Sequence, residues 1–155
     1  MLTQEIKNAL TTYTAAMKND LVFVLQKGVH ERREELLTFL SEVASTSERL
    51  SVEERDSSNT LRSPISFLLE SDGQETGIQF SGIPSGHEFN SLILAVLNTT
   101  GTPSKLDESL KTLIKSIDTP LKFEVFISLT CHNCPDVVQT LNKFALLNEK
   151  ISAEM

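Results

Sequence analysis

Tryptophan is absent from this 155-residue chain, tyrosine occurs once and cysteine twice. With phenylalanine supplying nearly all the aromatic content, platforms for stacking nucleic-acid bases are not indicated. Basic clusters are scarce too: Arg32-Arg33 is flanked by acidic residues, and the net charge is −7. Such a surface repels phosphate backbones and anionic headgroups, so neither nucleic acid nor membrane is an expected partner. No apolar run approaches the roughly 20 residues that a spanning helix needs. The opening stretch, MLTQEIKNALTTYTAAM, lacks a basic start, an apolar block and a small-residue cleavage site. No secretory leader is therefore expected, and the cytoplasm is the expected compartment. Two cysteines cannot form a disulfide framework. Bonded to each other, they would close a loop too short to constrain the unfolded chain strongly.

What is present fits a globular protein: 39% hydrophobic and 23% charged residues, enough for one ordinary domain or two very small ones. Leu2, Ile6, Leu10, Tyr13 and Met17 recur at helical spacing and predict a helix over 3–18. LVFVL (21–25) reads as a strand, and Leu36, Leu37, Leu40 and Val43 give a helix within 30–44. A strand is expected at 49–54, then a hairpin of PISFLLE (64–70) and IQFSG (78–82). Helices follow at 85–101 and 102–117, the second with Pro103 near its first turn. Residues 121–128 form a strand, 134–148 a helix, and EKISAEM starts a further strand.

Residues 22–44 slide onto 123–145, a shift of 101 positions, without a gap. Val22, Val24 and Leu25 fall on Phe123, Val125 and Phe126, while Leu36, Leu37, Leu40 and Ala44 fall on Val137, Val138, Leu141 and Ala145. This suggests a duplicated strand–loop–helix unit. The first copy carries His30 and Arg33 where the second carries Cys131 and Cys134. Its order of elements is that of the thioredoxin arrangement, in which Pro64 stands where a cis-proline begins the strand beside a redox site.

Cys131-His132-Asn133-Cys134-Pro135 sits at the predicted strand-to-helix junction. A thiol attacks as its thiolate, and a helix N-terminus favours that charge. Cys131 would be the exposed nucleophile and Cys134 the more buried resolving thiol, one turn further in. Pro135 suits a first helical turn, where its missing N–H costs nothing. His132 is a candidate for tuning the thiolate. Two other readings stay open: a zinc site drawing on Cys131, Cys134, His132 and the distant His30 and His87, and a pair of inert buried thiols. Ser85 and Glu88 match a capping box, yet Glu88 could equally serve as a general acid/base beside the cysteines. His87 reads as a surface or packing residue.

GHEFNSL together with FISLTCHNCPDVVQTLN resembles the N-terminal region of the flavoprotein subunit of bacterial alkyl hydroperoxide reductase, and the likeness extends through LNTTGTPSK. The resemblance implies an α/β protein of tandem thioredoxin-like folds. The first (1–103) would be complete and free of cysteine, and the second (104–155) cut short and carrying the redox pair. It implies Cys131 and Cys134 as the pair and Glu88 as the acid/base contributed by the first fold. The implied partners are a peroxiredoxin, whose disulfide the pair reduces in peroxide detoxification, and a flavin domain of the same full-length protein, reduced by NADH. No G-x-G-x-x-G follows a strand, so FAD and NADH are expected in a missing C-terminal domain and no cofactor in this chain. Metal is not expected. A cut-short second fold would leave an exposed sheet edge, with lower stability or self-association as the consequence. The alternatives are a non-catalytic module that docks the peroxiredoxin and a small metal-binding module.

Overall fold

The computed structural model describes residues 2–102 and 104–155. Within them, eleven elements follow one another: α1 (Gln4–Thr14), β1 (Leu21–Gln26), α2 (Arg33–Ala44), β2 (Leu50–Arg55), β3 (Ser66–Ser71), β4 (Gln74–Ser81), α3 (Glu88–Thr99), α4 (Glu108–Lys115), β5 (Leu121–Glu124), α5 (Cys134–Leu147) and β6 (Ile151–Glu154). The six strands join one sheet in the order β2-β1-β3-β4-β6-β5. β1 pairs parallel with β2 and antiparallel with β3, β3 antiparallel with β4, and β6 parallel with both β4 and β5. The last strand therefore lies inside the sheet, bridging the first four strands to β5. It does not extend a separate sheet of its own.

Strand alternation sorts the two faces. Leu21, Phe23 and Leu25 of β1, Phe67 and Leu69 of β3, Ile78 and Phe80 of β4, and Ile151 and Ala153 of β6 share one buried cluster. Every helix contributes to it, from Leu10 of α1 through Leu36 and Leu40 of α2 and Leu92 of α3 to Ile114 of α4 and Val138 of α5. Phe67 anchors it, stacked on Phe80 at 5.2 Å and edge-on to Phe23 at 6.0 Å. The opposite face has a small apolar patch of Val22, Val24, Leu61 and Leu68. Ion pairs cover much of the rest, including Arg55 with Glu53 and Glu70, and Arg62 with Glu124 and Glu154.

The repeat is wider than 22–44. Helices α2 and α5 begin at Arg33 and Cys134, and strands β2 and β6 at Leu50 and Ile151, both 101 positions apart. Several expected boundaries moved, each for a local reason. The helix expected over 102–117 starts at Glu108, because the Asp107 carboxylate accepts the Ser109 and Leu110 N–H groups at 2.9 and 3.4 Å and caps it. Pro103, expected in its first turn, lies outside the described residues. The strand expected over 121–128 is assigned only to Glu124, since its partner β6 ends at Glu154. One more bond follows, from Val125 N–H to Glu154 O at 2.8 Å.

Pro64 does not form a cis peptide bond. Its ring instead packs on the β1–α2 loop, where a Cβ on Gly28 (φ +138°) would meet Pro64 Cγ at 2.5 Å. Glycine is required there by both the backbone angle and the contact. Pro64 thus abuts the cysteine-free counterpart of the 129–134 loop.

Candidate redox site

Beyond β5 the chain runs on to a turn at Leu129-Thr130, closed where the Cys131 N–H donates to Ser128 O at 2.8 Å. α5 then begins at Cys134, with Pro135 in its first turn, as the spacing predicted. A disulfide joins Cys131 to Cys134, with Cα atoms 5.5 Å apart. Asn133 stands at the N-cap position, but its side chain makes no capping bond. The Cys131 sulfur does that work, accepting the Cys134 N–H at 3.2 Å. A thiolate formed at Cys131 on reduction has this N–H and the positive end of α5 to stabilise it. Both cysteines are half-buried, so exposure does not separate the attacking from the resolving thiol as the sequence reading had it. The N–H bond to the Cys131 sulfur is the difference between them that the structure shows.

The start of α3 lies along the start of α5, and the two helices run parallel. A Cβ on Gly86 would come within 3.0 Å of Leu129 O. The His87 ring sits 4.6 Å from the His132 ring, centroid to centroid, at 56°. One turn on, Gln139 Nε2 donates to Ser91 Oγ at 3.2 Å. In sequence, Glu88 stands between the α3 residues that make the last two contacts.

Glu88 is completely buried, and neither carboxylate oxygen has a hydrogen-bond partner among the described residues. The capping box expected from Ser85 and Glu88 does not form. α3 starts at Glu88 itself, so the carboxylate occupies the first helical position instead of the third and cannot reach back to cap. A buried carboxylate without a hydrogen-bond partner is costly. His132 is exposed between the cysteines. His87, read from sequence as a surface or packing residue, is exposed and lies against the His132 ring. No periodicity announced that contact; the only hint was the position of His87 next to Glu88. His30, the first unit's counterpart of Cys131, is exposed and local in its bonding, its Nδ1 accepting the Arg32 N–H at 3.1 Å. Among the described residues, no group of three or more His, Cys, Asp or Glu side chains is placed to hold a metal ion.

A groove of about 320 Å³ is lined in part by Phe126, Ile127, Leu129, Ile83 and Met155, together with the paired Arg62 and Glu154. Glu154 is held below the ordinary carboxylate range: burial pushes its pKa up, but bonds from Arg62, Ser81 and Lys122 outweigh that. No helix among the described residues is long and apolar enough to cross a membrane.

A thioredoxin-like sheet with a C-x-x-C cystine at the N-terminus of a helix defines the class: this is a thiol–disulfide redox fold. No family model matches the chain. It is 41% identical over its whole length to a protein of Bacillus subtilis named NADH dehydrogenase, and 40% identical to the F subunit of alkyl hydroperoxide reductase of Staphylococcus epidermidis. The chain spans about 30% of the length of both relatives. Among solved structures, the N-terminal domain of the alkylhydroperoxide reductase AhpF of Enterococcus faecalis superposes with a TM-score of 0.87 at 34% identity, over 100% of this chain and 79% of that one. A protein disulfide oxidoreductase from Aeropyrum pernix shares the fold, with a TM-score of 0.77 at 20% identity, over 99% of this chain and 75% of that one. The chain belongs to the family of the N-terminal region of the alkyl hydroperoxide reductase subunit AhpF.

Proposed function

We propose that this chain is a dithiol/disulfide relay that passes electrons to the disulfide of a peroxiredoxin in the cytoplasm. The observation that carries the reading is the Cys131–Cys134 bond at the start of α5, with the Cys131 sulfur already bonded to a helix N–H. In the reduced form, the Cys131 thiolate attacks one sulfur of the peroxiredoxin disulfide. That bond breaks, a mixed disulfide forms, and the released sulfur takes up a proton. Cys134 then gives its proton to the Glu88 carboxylate and attacks the Cys131 sulfur. The cystine forms, and the second peroxiredoxin sulfur leaves as a thiolate and is protonated. Two electrons have crossed; of the two protons the peroxiredoxin takes up, one is the Cys134 proton passed on by Glu88 and the other comes from solvent, and the cystine must be reduced again.

The relatives' greater length supports a flavin-bearing, NADH-dependent region of the same polypeptide as the source of those electrons. The loops after β1 and β5 carry no glycine spacing suited to a dinucleotide, so no step within this chain runs through the flavin. We assign residues 1–103 to the cysteine-free unit and 104–155 to the unit with the redox pair. Glu88, from the first, is the acid/base for the second.

The test is trapping. Reduced Cys134→Ser protein mixed with an oxidised peroxiredoxin should accumulate a mixed disulfide through Cys131, visible on non-reducing gels and by peptide mass. Cys131→Ser should accumulate none. Equal trapping by both variants would overturn the assignment of roles. Stable association without any mixed disulfide would favour the docking-module reading.

A further inference from the structure

We infer that His87 is a positioning residue for the redox loop, holding His132, and through it the Cys131–Cys134 segment, in the geometry that exchange requires. The inference rests on the relay reading and adds to it a residue from the cysteine-free unit. His87 is the residue before α3 begins and His132 lies between the two cysteines, yet their rings are 4.6 Å apart across the seam between the units. The contact does not stand alone. Gly86, with φ +58°, brings the backbone so close that a Cβ would meet the Leu129 carbonyl oxygen at 3.0 Å. On the other side, Ser91 accepts from Gln139 at 3.2 Å. The start of α3 therefore touches the redox loop at its entry, between its cysteines, and beyond it along α5.

Within the loop itself there is little to fix its shape. The Asn133 side chain makes no capping bond. Among the described residues, the loop's own bonds are the Cys131 N–H to Ser128 O, the Cys134 N–H to Cys131 Sγ, and the contacts of Ser128 Oγ with Thr130. Once the disulfide is reduced, the covalent link between the ends is gone as well. The His87–His132 contact then remains as a side-chain restraint on the residues between the two sulfurs. Because His87 is exposed, truncating it opens no cavity, so its effect on the site separates from its effect on stability.

The experiment compares wild-type protein, His87→Ala and His87→Phe in three readouts. The first is the rate at which the reduced protein reacts with oxidised glutathione, the second the midpoint potential of the cystine in a glutathione buffer series. The third is the ring-proton NMR shift of His132. Loss of the ring contact should slow exchange about tenfold, shift the His132 resonances and move the potential, with little change in melting temperature. Phe, which keeps a ring against His132, should restore most of the rate. Exchange by His87→Ala within about twofold of wild type would overturn the inference while leaving the relay intact. A loss that Phe does not restore would overturn the ring contact as its cause. A wild-type protein with no reversible midpoint would sink the relay reading and this inference together.

Discussion

The β1–α2 and β5–α5 units place the same helix start to opposite uses. At the head of α2 stands Arg33, buried, its guanidinium donating to Gln26 O at 3.1 and 3.3 Å and to Glu54 at 2.6 Å. At the head of α5 stands Cys134, bonded to Cys131. In the first unit a charged side chain locks the helix to the ends of β1 and β2. In the second the helix end is left to serve a sulfur, and the support comes from outside, from α3. One copy is held together by its own groups; the other has contacts from Gly86, His87 and Ser91. A redox loop must change its bonding every cycle, so a permanent tie such as Arg33 would obstruct it.

The sharpest way to break this comparison is at the sulfurs. Cys131→Ser should abolish electron transfer to a peroxiredoxin, with little loss of melting temperature, because the loop it closes is short. A large stability loss would mean that the cystine is a staple. Glu88→Gln should slow the resolving step about 100-fold, seen as a mixed disulfide that lingers in stopped-flow and quenched mass measurements. Glu88→Leu should show the same loss while raising stability by about 1–2 kcal/mol in urea unfolding, since an unpaired buried carboxylate is removed. Unchanged kinetics in both would return Glu88 to a structural role.

Arg33→Ala should cost about 3 kcal/mol by removing three bonds to a buried guanidinium, with the cystine potential unmoved. If the potential moves, the two units are not as separate in role as the comparison holds. The smallest expected effect is at Arg62, which bonds Glu154 at 2.5 and 2.8 Å and so ties the loop before β3 to the strand that joins the units. Arg62→Ala should cost about 2 kcal/mol. Since Glu154 is held below its ordinary range when folded, its contribution is present above the unfolded carboxylate pKa and is lost as pH falls through the lower, folded value. Acid unfolding of wild type should therefore steepen in that window, and Arg62→Ala should flatten it.

The sequence disclosed most of this where the signal was local. The Cys131-x-x-Cys134-Pro135 spacing placed the helix start correctly, and the shift of 101 positions exposed a duplication that the structure extends to β2 and β6. Long-range choices were less legible. That β6 inserts between β4 and β5 depends on pairing between residues far apart in the chain, such as Ile78 with Ala153, which no short pattern encodes. Glu88 misled because Ser85 offered it a plausible local role, and one residue in the helix start decided against it. The Asp107 cap was readable in principle, as an aspartate just before an amphipathic run, but Pro103 was the louder signal. His87 lacked any signal of its own: its significance comes from what another unit brings to it.

The central claim is that Cys131 and Cys134 form a reversible two-electron couple. Equilibrating the chain across a dithiol redox-buffer series, then quenching with an alkylating reagent and weighing the products, tests it directly. The account predicts a single midpoint at which both thiols appear together, with a tenfold change in the ratio for each ~30 mV. Thiols that stay alkylatable at every potential, or a disulfide that never opens, would contradict it.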